Sequence, residues 1–172
     1  MDVYKYEKIR NVAVLGHGGA GKTTLVEACA FTTGLTNRQG KVEEGNTISD
    51  YDKEEIKRQF SISTTMVPIE YAGAEGNIKI NLLDTPGYFD FVGEVLAPLA
   101  VASTALLVVR PGNIEVGAKR AYKFIKDSKK PCIIVVNKMD RDNVDVAKTF
   151  ANLNELFNGK CVMVNEPNGV AN

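Results

Sequence analysis

The run that most constrains this chain is Asn11 to Thr24, NVAVLGHGGAGKTT. Asn11 to Leu15 is a short, β-forming, mostly apolar stretch; a glycine-crowded turn follows, then Lys22-Thr23 and an amphipathic segment from Leu25. The pattern predicts strand, loop and helix. Gly16 and Gly21 bracket four residues and precede Lys22-Thr23, the spacing G-x-x-x-x-G-K-T of a phosphate-binding P-loop. Glycines let successive backbone N–H groups turn inward as an anion nest, and the helix start adds partial positive charge. Gly16, His17, Gly18, Gly19, Ala20, Gly21, Lys22, Thr23 and Thr24 are therefore the candidate polyphosphate cradle. Lys22 is expected to reach the β- and γ-phosphates, and the Thr23 hydroxyl to hold one position on Mg²⁺.

At 172 residues the chain is long enough for one domain with a real core and short for two. Basic and acidic side chains balance at 21 each, so no whole-chain basic footprint for nucleic acid exists. Direct DNA binding is not expected, and an RNA-rich partner must be met by a local patch or by parts outside this sequence. Cys29, Cys132 and Cys161 are odd in number, far apart and set among apolar residues, which reads as buried thiols in a reducing compartment. The mixed, charged start MDVYKYEKIR has no apolar signal core, and no apolar run approaches membrane-spanning length. A cytoplasmic location without a membrane partner is the expectation.

After the P-loop helix, Gly34 to Arg58 is polar and glycine-punctuated. It reads as a solvated, functional or mobile loop with a short charged helix near Asp52 to Arg58, supported by the Glu54–Arg58 pair. Ser63 to Tyr71 and Asn77 to Leu83 read as two strands joined by the turn Ala72 to Gly76, too short for a crossover and so antiparallel. Phe89 to Ala102 has helical length, with Pro98 as a kink or early stop. Thr104 to Val109 and Cys132 to Val136 are continuous apolar runs of the kind buried on both faces of a parallel sheet. Between them lies a helix carrying Gly117, Ala121, Phe124 and Ile125 on one face, and Val146, Phe150, Leu153 and Phe157 mark a last helix. Lys160 to Val164 is expected as one more strand, after which NEPNGVAN trails off. Alternating strands and helices predict an α/β fold, a doubly wound and mostly parallel sheet with one antiparallel strand, binding ligands beyond the carboxyl ends of its strands.

Two further motifs fall at such ends. Asp84-Thr85-Pro86-Gly87 closes a strand: the Asp84 carboxylate can hold Mg²⁺, commonly through water, and the Gly87 N–H can approach a γ-phosphate. Asn137-Lys138-Met139-Asp140 closes another. Asp140 can accept two hydrogen bonds from the N1–H and exocyclic amine of guanine, whereas adenine offers no such donor pair. Asn137 would contact the base and brace the P-loop, with the Lys138 stem over the base face.

On these residues the chain resembles the GTP-binding domain of translational GTPases. It is most similar to elongation factor G and its elongation-factor-G-like branch, through GHGGAGKT, SDYDKEEIKR and DTPGYFDF between about Val12 and Asp140. The resemblance implies GTP/GDP and Mg²⁺ binding, two mobile switch segments and a ribosome or ribosome-like activator. It makes the polar loop the first switch and aligns Ser61 with the threonine that contacts Mg²⁺ and γ-phosphate. The family's water-positioning histidine is Tyr88 here; a phenol can donate one hydrogen bond to orient water but cannot supply imidazolium charge. Gly19 replaces an aspartate of mainstream members, which argues against a bound monovalent cation, and His17 reads as a structural P-loop residue. The family's remaining guanine loop and final helix lie beyond the stretch present, so the sequence is expected to be the incomplete amino-terminal domain of a longer factor, with an uncovered apolar face, weakened guanine affinity or both. The implied activity is GTP hydrolysis, slow alone, with Tyr88, Lys22 and Gly87 as catalytic candidates and Thr23, Ser61 and Asp84 at the metal. The alternative is a GTP/GDP-binding switch that hardly hydrolyses because of Tyr88 and Ser61.

Overall fold

The structure, a computed structural model, describes residues 3–74, 76–142 and 144–166. Strands β1 (Ile9–Gly16), β2 (Thr65–Gly73), β3 (Gly76–Asp84), β4 (Thr104–Val109) and β5 (Cys132–Val136) form one sheet in the order β2-β3-β1-β4-β5. Helices α1 (Lys22–Thr32), α2 (Lys53–Arg58), α3 (Gly93–Val101), α4 (Val116–Asp127) and α5 (Val146–Leu156) complete it. β1 pairs in parallel with β3 and β4, and β4 with β5, while β2 and β3 form the expected antiparallel hairpin. Glu75 in its turn lies outside the described residues.

The continuous apolar strands are explained by burial on two faces. Ala13, Leu15, Ala105, Leu107 and Val109 point to the side covered by Leu99 of α3, Ala121 and Ile125 of α4 and Leu153 of α5. Their neighbours Val14 and Val108 point the other way, with Leu82, Val67 and Ile69, onto Val26 and Ala30 of α1. Leu107 is fully buried, so Leu107→Ala is expected to cost about 2–5 kcal/mol. On the α1 side the cover thins over β5: Ile133, paired with Leu106, is 56% exposed.

Several expectations change. Residues 160–164 are not a strand. After α5 the chain turns through Asn158 and Gly159 at positive φ, the Cys161 N–H bonds the Asn154 side chain (3.1 Å), and Val162 and Val164 are 85% and 92% exposed. β5 presents an open sheet edge, but this segment does not pair with it, and β-propensity without pairing makes no strand. Most of the trailing segment, 167–172, lies outside the described residues. Helix α3 begins later than the apolar pattern suggested, since Phe89–Phe91 is a short 3₁₀ turn, and it continues through Pro98. The polar loop is far from wholly solvated: Thr47, Ser49, Asp50, Glu55 and Ser61 are buried. The three cysteines are free but only partly buried. Among the described residues, no helix is long and apolar enough to cross a membrane.

Candidate nucleotide site

All four parallel strands end on one rim, and the strand order reverses about β1. The P-loop, leaving β1, therefore sits at the switch point of the sheet, where open α/β sheets bind ligands. Lys22 opens α1 and is buried; its ammonium donates to the carbonyls of His17 (3.2 Å) and Gly16 (3.4 Å). Burial pushes the Lys22 pKa down, opposed by the carboxylates of Asp84 and Asp50. Asp84 is 1% exposed and neither carboxylate oxygen has a hydrogen-bond partner. Burial raises its pKa to about 6, the Lys22 ammonium and the nearby Thr23 and Ser49 hydroxyls offsetting part of the effect. The Thr23 and Ser61 hydroxyls lie 3.2 Å apart beside this cluster.

One cation thus faces two buried carboxylates with unpartnered oxygens and two hydroxyls, an arrangement that a second cation would relieve. Among the described residues no three His, Cys, Asp or Glu converge, so a metal there must lean on hydroxyls and on oxygens of its ligand, as Mg²⁺ beside phosphates does. The residues present fit that ion. Asp50 was not singled out from the sequence. Its burial raises its pKa, and it couples to both Lys22 and Asp84. Nothing in SDYDKEE marks the first Asp above the second by local pattern, and only the folded loop separates buried Asp50 from the exposed helix cap Asp52. Two more carboxylates explain the loop's path. Glu27, one turn after Thr23 on α1, accepts the N–H groups of Gly40 (3.1 Å) and Ile48 (2.7 Å). Glu55 accepts those of Ile62 (2.9 Å) and Ser63 (3.0 Å).

The Asn137–Asp140 motif reaches the same loop. Asn137 Nδ2 donates to the Ala20 carbonyl (3.0 Å), and Gly21, at φ 95°, leaves no room for a Cβ against that amide. Lys138 takes a left-handed backbone (φ 62°), and burial lowers its pKa ahead of the repulsion from Arg141 and Arg110. Asp140, Gly19 and Thr24 are exposed at the rim. His17 packs on Gly117 at the start of α4; burial, then Arg110 and Lys22, lowers its pKa, so its imidazole is neutral near pH 7. Tyr88 lies across Gly18, where a Cβ would sit 3.0 Å from the ring, and meets Phe60 at 4.7 Å between centroids. Gly87 packs against the Lys22 ammonium and the Gly18 backbone.

The family model described as the elongation factor Tu GTP binding domain matches residues 7–169. The chain belongs to this GTP-binding domain family. A Mycobacterium tuberculosis elongation factor G-like protein is 34% identical over 94% of this chain and 22% of its own length. A mitochondrial ribosome-releasing factor 2 of Drosophila ananassae is 37% identical over 93% of this chain and 21% of its own. The GTP-binding domain here thus spans about a fifth of the curated relatives it matches. A crystal structure of a Thermus thermophilus protein superposes with TM-score 0.81 at 37% identity, covering 88% of this chain and 22% of that one. The domain is similar to the GTP-binding domains of elongation-factor-G-like proteins, and its sheet, mostly parallel with one antiparallel pair, is that of a P-loop GTPase.

Proposed function

We propose that the chain binds GTP and GDP with Mg²⁺ and hydrolyses GTP, acting as the amino-terminal switch module of a longer, ribosome-acting translation factor in the cytoplasm. The observation that carries the reading is the buried Asp84, unpartnered at both oxygens, beside Lys22 and the Thr23–Ser61 hydroxyl pair at the P-loop mouth. Lys22 leaves the His17 and Gly16 carbonyls for the β- and γ-phosphates. Thr23, Ser61 and Asp84, with buried Asp50 linked to them electrostatically, would hold Mg²⁺, which when bound would neutralise charge on the phosphate oxygens. The Gly87 N–H approaches the γ-phosphate, and Tyr88, seated on Gly18, orients the attacking water. Asn137 and Asp140 grip the guanine edge while Lys138 covers its face.

Preorganised donors around the γ-phosphate lower the barrier, but P-loop GTPases without an activator remain slow. Membership of the GTP-binding domain family supports hydrolysis over a switch that hardly turns over. The test is multiple-turnover phosphate release from GTP by the full-length factor, with and without ribosomes. Slow basal release, strongly accelerated by ribosomes, is expected. No release in either condition would overturn the hydrolytic reading, and release without acceleration would remove the ribosome from it.

A further inference from the structure

The helix that follows the DTPGY turn contains a proline, and that proline has a structural consequence. Within α3, the Glu94 carbonyl should accept the N–H of residue 98, but Pro98 has no N–H and its ring pushes that carbonyl aside. The missing donor comes from another loop: the Thr64 hydroxyl donates to the Glu94 carbonyl at 2.5 Å. The same glutamate takes Thr64 a second time, its Oε2 accepting the Thr64 backbone N–H at 3.1 Å. Thr64 lies three residues after Ser61, whose hydroxyl touches Thr23, and four after Phe60, whose ring meets Tyr88 (4.7 Å) and Phe91 (6.3 Å). The segments 60–64 and 88–94 are thereby joined at two places, by rings above the P-loop and by Glu94 at the start of α3.

We propose that Glu94 and Pro98 form a socket for Thr64 that makes the two switch segments move as one, with Glu94 a positioning residue for Ser61 and Tyr88. The socket depends on the proline: a residue with an N–H at position 98 would satisfy the Glu94 carbonyl inside the helix and compete with Thr64. The part concerning Ser61 and Tyr88 at the γ-phosphate rests on the guanine-nucleotide reading above, whereas the clasp itself does not.

Hydrogen exchange on the nucleotide-free 172-residue chain tests the clasp. In Glu94→Ala, amide exchange is expected to rise about tenfold over 60–64 and, through Phe60, over 88–91; Glu94→Gln, whose amide oxygen still accepts, should restore most of the protection. Pro98→Ala should protect α3 better yet expose 60–64. Unchanged exchange at 88–91 in Glu94→Ala, or unchanged exchange at 60–64 in Pro98→Ala, would overturn the proposal. Global loss of protection in either variant moves the decision to Thr64→Val, which leaves α3 intact and must deprotect 88–91 for the clasp to stand.

The second readout is the ratio of GTP-analogue to GDP affinity with Mg²⁺, expected to fall about five- to tenfold in Glu94→Ala and to recover in Glu94→Gln. An unchanged ratio would overturn the positioning role. If the parent chain binds neither nucleotide, the guanine reading and that positioning role both fail, while the exchange result still decides the clasp.

Discussion

The two ends of the site are built differently. At the proposed phosphate end, Lys22, Asp84, Asp50, Thr23 and Ser61 are all buried, and three carboxylate oxygens of the aspartates lack partners. At the proposed base end, Asp140 is exposed, and the motif is tied down mainly through Asn137 and its bond to Ala20. The contrast separates two kinds of work. Discriminating a base needs correctly placed edges that water can solvate until the ligand arrives, whereas gripping phosphates and a metal needs charges held out of water, at a cost to the empty fold. Substitutions at the proposed phosphate end should therefore change both stability and binding, in the same or in opposite directions, and those at the proposed base end should change binding and specificity with little effect on stability.

The sharpest break should come from Lys22→Ala. It leaves Asp84 and Asp50 facing each other without their cation, so calorimetry should show nucleotide affinity reduced at least a hundredfold, and denaturant unfolding a loss of roughly 3–5 kcal/mol. Retained affinity would mean that the P-loop does not hold the phosphates.

Asp84→Asn should split the two properties. The folded pKa of about 6 lies above the ordinary carboxylate value of 3.8, so the cost of burying the charge is absent below about pH 4 and fully present above about pH 6. Stability from this group thus falls as pH rises through that window, and removing the charge should stabilise the nucleotide-free chain at pH 7.5 by on the order of 3 kcal/mol. Magnesium-dependent nucleotide affinity should fall at the same time. Denaturant midpoints at pH 4 and pH 7.5 check the sign, and a variant less stable than the parent at pH 7.5 would contradict it.

Asp140→Asn should weaken guanine binding by about 1–3 kcal/mol and shift preference toward xanthine nucleotides, whose C2 carbonyl suits an amide donor. Unfolding should stay within about 0.5 kcal/mol of the parent because the site is exposed. Retained guanine selectivity in competition titrations would remove Asp140 from the base pocket. The smallest effect is expected for Tyr88→Phe: turnover down about tenfold, or about 1.4 kcal/mol in barrier, with GDP affinity nearly intact. Unchanged turnover would make Tyr88 a packing ring against Phe60 and Gly18.

The frame of the site was legible because each motif sits at a strand end, and strand ends announce themselves by a change of composition. The apolar runs of β1, β4 and β5 and the glycine-rich, DTPG and NKMD breaks needed no tertiary information. What escaped depended on long-range contacts. Asp50 becomes a site residue because the loop folds inward, held by Glu27 and Glu55 through backbone N–H groups that no side-chain pattern reveals. The valines of 160–164 looked strand-like because propensity is local, while pairing is not. Pro98 could be read as a helix irregularity, but that its freed acceptor would be taken up by Thr64 required the fold.

The most direct test of a single pocket gripping phosphates, metal and guanine together is a calorimetric titration of the chain with GDP, a GTP analogue and ADP, each with and without Mg²⁺. Binding of both guanine nucleotides, strengthened by Mg²⁺ and weaker for ADP by at least a hundredfold, is the predicted result. Equal affinity for ADP and GDP, or no response to Mg²⁺, would contradict it.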